Sequence, residues 1–331
     1  MSALPLVTVC IPSFNSERTI ERCLVSVSMQ DYQNTKIIVV DDCSSDNTVQ
    51  LCRAYSDNIE IIKNDRNLGI VGNHNRCIEL ADGKYLKFVH ADDYLLPGAI
   101  SKMVSSLEKY PDASLAFSRR YIESTVEEFV RDASDLHVPL EPLSEYTKGV
   151  LLIERFIRAG ARRNLFGEPT SMMFNREAMV RSGGFSSHLP QLFDIEFCLA
   201  ILAHGAAVWI NEPLSVRVHT SDTTSELNRA TGVGSLDPLK IQLALTRSPV
   251  LSPWYRWDVA RLATVSLIKA IGKILIYRRT RPRLVDLVSL TSAYVAGDIR
   301  SPGKYEQAVG LHGGPHRAYQ GQVDDTQRHD I

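Results

Sequence analysis

Short apolar runs alternate with amphipathic stretches along the first third of the chain. Val7–Ile11, Lys36–Val40, Ile59–Ile62, Tyr85–Val89 and Ala113–Phe117 are apolar with little interruption, as in buried strands. Between them the period changes. Ile20, Cys23, Leu24 and Val27 fall at i, i+3, i+4 and i+7 behind Ser16, a candidate helix cap. Ile100, Met103, Val104 and Leu107 repeat the pattern after Pro97. Helices are also predicted from Ser45 or Asp46 to about Tyr55, and from the turn-like Asn64–Gly69 to Ala81. Strands apolar throughout, joined by amphipathic helices, predict a Rossmann-like α/β domain. Its mostly parallel sheet would be covered on both faces.

The second half is less regular. Glu123–Thr147 is acidic and Pro-bearing and reads as a loop. Val150–Ala159 and Phe193–His204 read as helices, and Thr170–Phe174, Ala206–Ile210 and Leu214–Val218 as strands. Gly183-Gly184-Phe185 reads as a turn, and Thr220–Ser235 as a polar loop or boundary. Trp254–Tyr277 is one long helical stretch followed by Arg278, Arg279, Arg281 and Arg283. From Leu311 the chain is rich in Gly, His, Gln and Asp and is expected to be disordered. The pattern divides into 1–120, 121–225, a helical extension over 226–310, and a tail over 311–331.

Composition narrows the class. The 37 Lys+Arg against 38 Asp+Glu leave a formal net charge of -1, which gives no reason to expect nucleic acid as a partner. Cys10, Cys23, Cys43, Cys52, Cys77 and Cys198 show no CxxC spacing, so they read as reduced core thiols of a cytoplasmic protein. Met1–Pro5 has no basic signal-peptide start.

Polar residues cluster where strands end. VTVCIPSFN delivers Pro12, Phe14 and Asn15 to one rim, where the Phe14 ring could stack on a base. KIIVVDDCSSDNT places Asp41 and Asp42 on another strand end, where a carboxylate can accept from a uracil or thymine N3–H. NDRNLGIVGNHN supplies a turn and a helix start near a phosphate. KYLKFVHADDYLLPG ends an apolar strand in Asp92 and Asp93. Adjacent carboxylates at a buried strand end are costly unless paired, and a hard divalent cation is the usual partner. In open α/β sheets that end is where ligands bind.

This ordered set resembles the family 2 glycosyltransferases of GT-A fold over about residues 5–220. VCIPSFN matches the family's opening strand, VVDDCSSDNT its VVDDxSxDxT, Asn67-Leu68-Gly69 through Asn75 its NxGxxxAxN turn, and HADD its metal motif. The resemblance implies that Asp42 contacts the base, Asp92 the ribose or donor sugar, and Asp93 a Mg2+ or Mn2+ ion. Pro12, Phe14, Asn15, Asn67, Gly69 and Asn75 would complete the donor site. His90 departs from the pattern, because many members begin this motif with Asp.

An inverting transfer also needs a carboxylate opposite the leaving diphosphate to take the acceptor proton. LPQLFDIEFCLAILAHG resembles the family's catalytic helix, with Asp194 at the base position, Glu196 at the second acid, and Phe193 where Glu is usual. An apolar ring beside Asp194 would raise its pKa. RVHTS resembles the family's Arg-x-His, which brings His219 toward the metal or diphosphate, and Pro169 and Thr170 would line the acceptor cleft.

The implied activity is sugar transfer from a nucleoside-diphosphate sugar, UDP or dTDP, to a glycan or lipid-linked acceptor in cell-surface polysaccharide synthesis. A nucleotide-binding module without turnover and a nucleotidyltransferase are the alternatives. Trp254, Trp257, Val265, Ile268, Ile271 and Leu275 form an apolar stripe beside Lys269 and Lys273. Such a helix either packs on the catalytic domain or lies peripherally on the inner face of a membrane.

Overall fold

The computed structural model describes residues 3–126, 130, 136–220, 228 and 231–276, with side chains only to residue 271 over the last stretch. The first half alternates β1 (Val7–Ser13), α1 (Ile20–Ser28), β2 (Thr35–Asp41), α2 (Thr48–Tyr55), β3 (Ile59–Lys63), α3 (Gly69–Leu80) and β4 (Tyr85–Phe88). β5 (Tyr94–Leu95), α4 (Ala99–Lys109) and β6 (Ala113–Ser124) follow. The second half holds β7 (Tyr146–Lys148), α5 (Gly149–Arg158), β8 (Met172–Asn175), α6 (Arg176–Ser182), α7 (Phe193–Leu202), β9 (Ala206–His219), α8 (Asp237–Thr246) and α9 (Pro253–Ile276).

One nine-stranded sheet runs β3-β2-β1-β4-β8-β6-β9-β5, with β7 also on β9. The β3-β2-β1-β4 half is parallel, as apolar strands joined by helices require. β8 inserts antiparallel to both β4 and β6, whereas β6 and β9 are parallel to each other. The sheet is therefore mixed α/β. Side chains of β1 alternate between its faces: Val7, Val9 and Ile11 enter one core with α1 and α4, and Cys10 enters the other with α3, α5 and α7. Five cysteines are buried, Cys43 is intermediate, and all six are free thiols.

Several elements differ from the sequence reading, which placed no strand at β5 and no helix at α6. Ala206–Ile210 and Leu214–Val218 are one strand. The interruption at Asn211–Pro213 is absorbed by a bulge where Ile210, Pro213 and Ser215 face Ser118, Arg119 and Arg120. β7 begins inside the loop predicted over Glu123–Thr147 and runs one residue past it. α8 escaped the pattern because apolar and polar residues alike are buried on it, including Asp237, Leu239, Ile241, Gln242 and Leu245, so no stripe marks one face.

The parallel register fixes the polar rim. Ser13 sits opposite Asp41, and β4 runs beside β1, so the ends of β1, β2 and β4 open on the same edge. The basic run after Tyr277 and the tail over 311–331 lie outside the described residues.

Candidate active site

At the β2 end, Asp42 is buried and heavily used. Its Oδ1 accepts from Asn64 Nδ2 at 2.9 Å and Leu68 N at 2.7 Å, and its Oδ2 from Gly69 N at 2.9 Å. Asp42 thus fixes the turn that starts α3. Asn67 completes that turn by accepting from Gly69 N through its own side chain. Gly69 has φ +73, the left-handed region that a Cβ disfavours. At the β1 end Phe14 is half exposed, and Asn15 Oδ1 accepts from Ser45 N at 2.9 Å. Pro12, Phe14 and Asn15 thus stand at the rim beside the Asp42 turn.

Asn75 has a partner far along the chain. Its amide donates to Phe185 O at 2.9 Å and accepts from Phe185 N at 2.8 Å. Both polar ends bond the Gly183-Gly184-Phe185 turn, so Asn75 joins α3 to the segment before α7. Asn73, where alanine is common in the motif, is buried and bridges Val40 O and Asn64.

At the β4 end, ligand atoms of His90, Asp92 and Asp93 lie within 4.8 Å of one another. Two carboxylates and an imidazole fit a divalent cation. Asp93 is positioned by Thr170 Oγ1, which donates to its Oδ2 at 2.7 Å, and by Val218 N, which donates to its Oδ1 at 3.0 Å. Burial and then the Asp93 charge push Asp92 up to about 6. His219 is buried at the end of β9, and the imidazole that joins the acidic pair in this cluster is that of His90. The β9 end reaches Asp93 through the Val218 backbone.

Asp194 lies in the first turn of α7. Asn164 Nδ2 donates to its Oδ2 at 2.6 Å, and Ile195 N to its Oδ1 at 2.8 Å. Burial, and then the neighbouring Glu168 charge, raise it to about 6. The expected direction holds, with a carboxylate as a second cause. Glu196, two residues on, is buried and lines a small cavity with Ser186, His188 and Lys240.

Between Asp93 and Asp194 lies a group that the sequence reading passed over. Glu168 is buried and ion-paired with both Arg120 and Arg217. Burial favours its neutral acid, but the two guanidinium groups outweigh that and hold it far below the usual carboxylate range. Arg217 feels the charges of Glu168, Asp93 and Asp194 together. Lys87, also missed, is fully buried in β4 and donates to the carbonyls of Thr170 and Met172. Burial pulls it down to about 7, against the nearby Asp93 charge. Lys87 and Thr170 hold the Pro169–Ser171 turn against the acidic pair, while Pro169 and Thr170 are themselves buried. A lysine inside an apolar run and a glutamate before Pro169 were the available signals.

The profile of a family described as Glycosyl transferase family 2 matches residues 8–181. Uncharacterized protein MT1568 of Mycobacterium tuberculosis is 36% identical over 280 residues, covering 82% of this chain and 86% of the relative. The GalNAc(5)-diNAcBac-PP-undecaprenol beta-1,3-glucosyltransferase of Campylobacter jejuni is 30% identical over 46% of this chain and 55% of its own length. Among solved structures, S. aureus TarS 1-349 in complex with UDP-GlcNAc superposes with a TM-score of 0.61 at 15% identity, covering 88% of this chain and 80% of that one.

Proposed function

The chain belongs to glycosyltransferase family 2 and is a glycosyltransferase, and on that premise we propose that it moves a sugar, with inversion, from a UDP- or dTDP-sugar to a lipid-linked glycan acceptor. The observation that supports this most is the arrangement of two acidic centres. His90, Asp92 and Asp93 form one, Asp194 the other, and the Arg120–Glu168–Arg217 cluster separates them.

The division of labour follows from charge. His90, Asp92 and Asp93 would hold Mg2+ or Mn2+, which when bound neutralises the leaving diphosphate. Arg217 is a fixed cation beside the same centre and favours the developing negative charge. Asp92 faces the donor sugar. Asp194 takes the acceptor proton as the hydroxyl attacks C1 from the opposite face. Its raised pKa keeps it a stronger base than an exposed carboxylate while leaving it ionised at neutral pH. The base would stack at Phe14. Asp42 has three of about four lone-pair sites committed to the turn, which leaves one on Oδ2 for a pyrimidine N3–H.

The acceptor class rests on relatives. The Campylobacter protein is named for an undecaprenol-linked acceptor, as is an E. coli glucosyltransferase 33% identical over 31% of this chain. We extend that class to this chain. Residues 1–120 would bind the donor and 121–225 the acceptor, and the helices after 226 would face the lipid. The test compares wild type with Asp194→Asn on a panel of UDP- and dTDP-sugars, reading transfer to undecaprenyl diphosphate-linked sugars and donor binding separately. Lost turnover with retained donor binding supports the assignment. Unchanged turnover removes Asp194 from the mechanism.

A further inference from the structure

One residue at which this chain leaves the family pattern, His90, has a hydrogen-bond partner that fixes its ring tautomer. His74, on α3, is buried in a cage of Phe88, Phe185 and Phe193, with ring centroids 5.3, 5.3 and 5.6 Å away. Its Nδ1 lies 2.7 Å from Ile70 O, which can only accept, so Nδ1 carries the proton. The other nitrogen, Nε2, is then an acceptor, and it lies 3.1 Å from His90 Nε2. His90 must therefore donate from Nε2. In the neutral ring this leaves the lone pair on Nδ1. That atom lies 3.5 Å from Asp93 Oδ2. Two ligands of one cation, each at about 2.1 Å and at near right angles, stand roughly 3 to 3.5 Å apart. Asp93 Oδ2 takes one hydrogen bond from Thr170 and keeps a lone pair for a second partner.

We infer that His90 Nδ1 is a metal ligand beside Asp93, with its tautomer set by His74, and that this nitrogen makes the site favour Mn2+ over Mg2+. The inference rests on the metal-assisted reading of the site. Mg2+ prefers an all-oxygen shell and gives up water reluctantly, whereas imidazole suits transition metals. A neighbour that fixes the ring tautomer is the usual support for a ligating histidine. Here another histidine supplies it, held by the Ile70 carbonyl on its far side. Three positions separated in sequence, His74, His90 and Phe193, thus meet as one unit.

The test is pulsed electron paramagnetic resonance of the full chain loaded with Mn2+, alone and with UDP, together with Mn2+/Mg2+ competition. Expected in wild type is a 14N coupling on Mn2+ that converts to a 15N coupling on histidine labelling. His90→Asp should bind Mn2+ without nitrogen coupling and lose roughly tenfold in preference for Mn2+ over Mg2+. Mn2+ bound to wild type without nitrogen coupling overturns the inference and leaves the metal-assisted reading standing. No Mn2+ binding, with or without UDP, overturns both. The wild-type spectrum decides even if His90→Asp fails to fold. His74→Phe keeps an aromatic ring in the cage and should weaken Mn2+ about tenfold or more. Unchanged Mn2+ affinity in folded His74→Phe removes His74 from the device.

Discussion

Asp194, the base we propose, lies in surroundings that favour its neutral acid, and in that role it would set the acid side of the activity profile. Its pKa lies near 6, so the base form fills above that value and empties below it. kcat/KM should fall about tenfold per pH unit below that point. Asp194→Asn should lower turnover by about 100-fold or more and make that limb shallower, leaving the part due to Asp92, which a pH series on both proteins reads directly. Asp42, Asp92, Asp93 and Asp194 were legible because carboxylates at strand ends and a helix start are conspicuous against apolar runs, whereas Glu168 lies at neither. Asn75 was legible as a motif position, but its bond to the Phe185 backbone was not. Only the fold brings Phe185, 110 residues away, to its amide. Asn75→Ala leaves both backbone groups of Phe185 without that partner and should cost about 1–3 kcal/mol in urea unfolding.

At the scale of elements, the half we propose to bind the acceptor is tied together by the segment between α5 and β8. Glu168 there pairs with Arg120 of β6 and Arg217 of β9. Glu168→Gln should cost about 3–5 kcal/mol, because two guanidinium groups lose the carboxylate that compensates their burial. The sign with pH follows from the depressed pKa. The stabilisation is complete above the unfolded value of 4.5 and is lost as pH falls through the lower folded value. Unfolding of wild type and Glu168→Gln should therefore converge in strong acid. The first half of the sheet was readable because each strand is apolar throughout and each helix shows one stripe. The β6–β9 pair was not, since a bulge carries β9 through Pro213 and no local period encodes pairing across a hundred residues. Gly184 was readable as a turn residue, yet its second constraint is tertiary. Its φ is +73, and an added Cβ would stand 2.6 Å from Asn75 Oδ1.

At the scale of the whole molecule, α9 joins the two readings of the C-terminal helix. Val259, Ala263 and Ala270 are buried, as packing on the domain requires. Trp254 and Trp257 are 72% and 65% exposed with their rings stacked, and Ile268 and Ile271 are also exposed. Among the described residues no helix is long and apolar enough to cross a membrane. An exposed apolar stripe with Arg261 and Lys269 beside it fits an anionic lipid surface near a lipid-linked acceptor. Vesicles containing phosphatidylglycerol should sediment wild type more than Trp254→Ser/Trp257→Ser, and the tryptophan emission should shift blue. Equal sedimentation of both proteins would assign the stripe to a protein contact instead.

The central claim is that the HADD cluster holds a nucleoside diphosphate through a divalent cation. Calorimetric titration of UDP, TDP and GDP, each with and without Mn2+, into wild type and Asp93→Asn tests it most directly. The account predicts that UDP or TDP binds wild type, that Mn2+ tightens it at least about tenfold, and that Asp93→Asn abolishes the Mn2+ effect. Nucleotide binding that ignores both Mn2+ and Asp93, in folded protein, would contradict it.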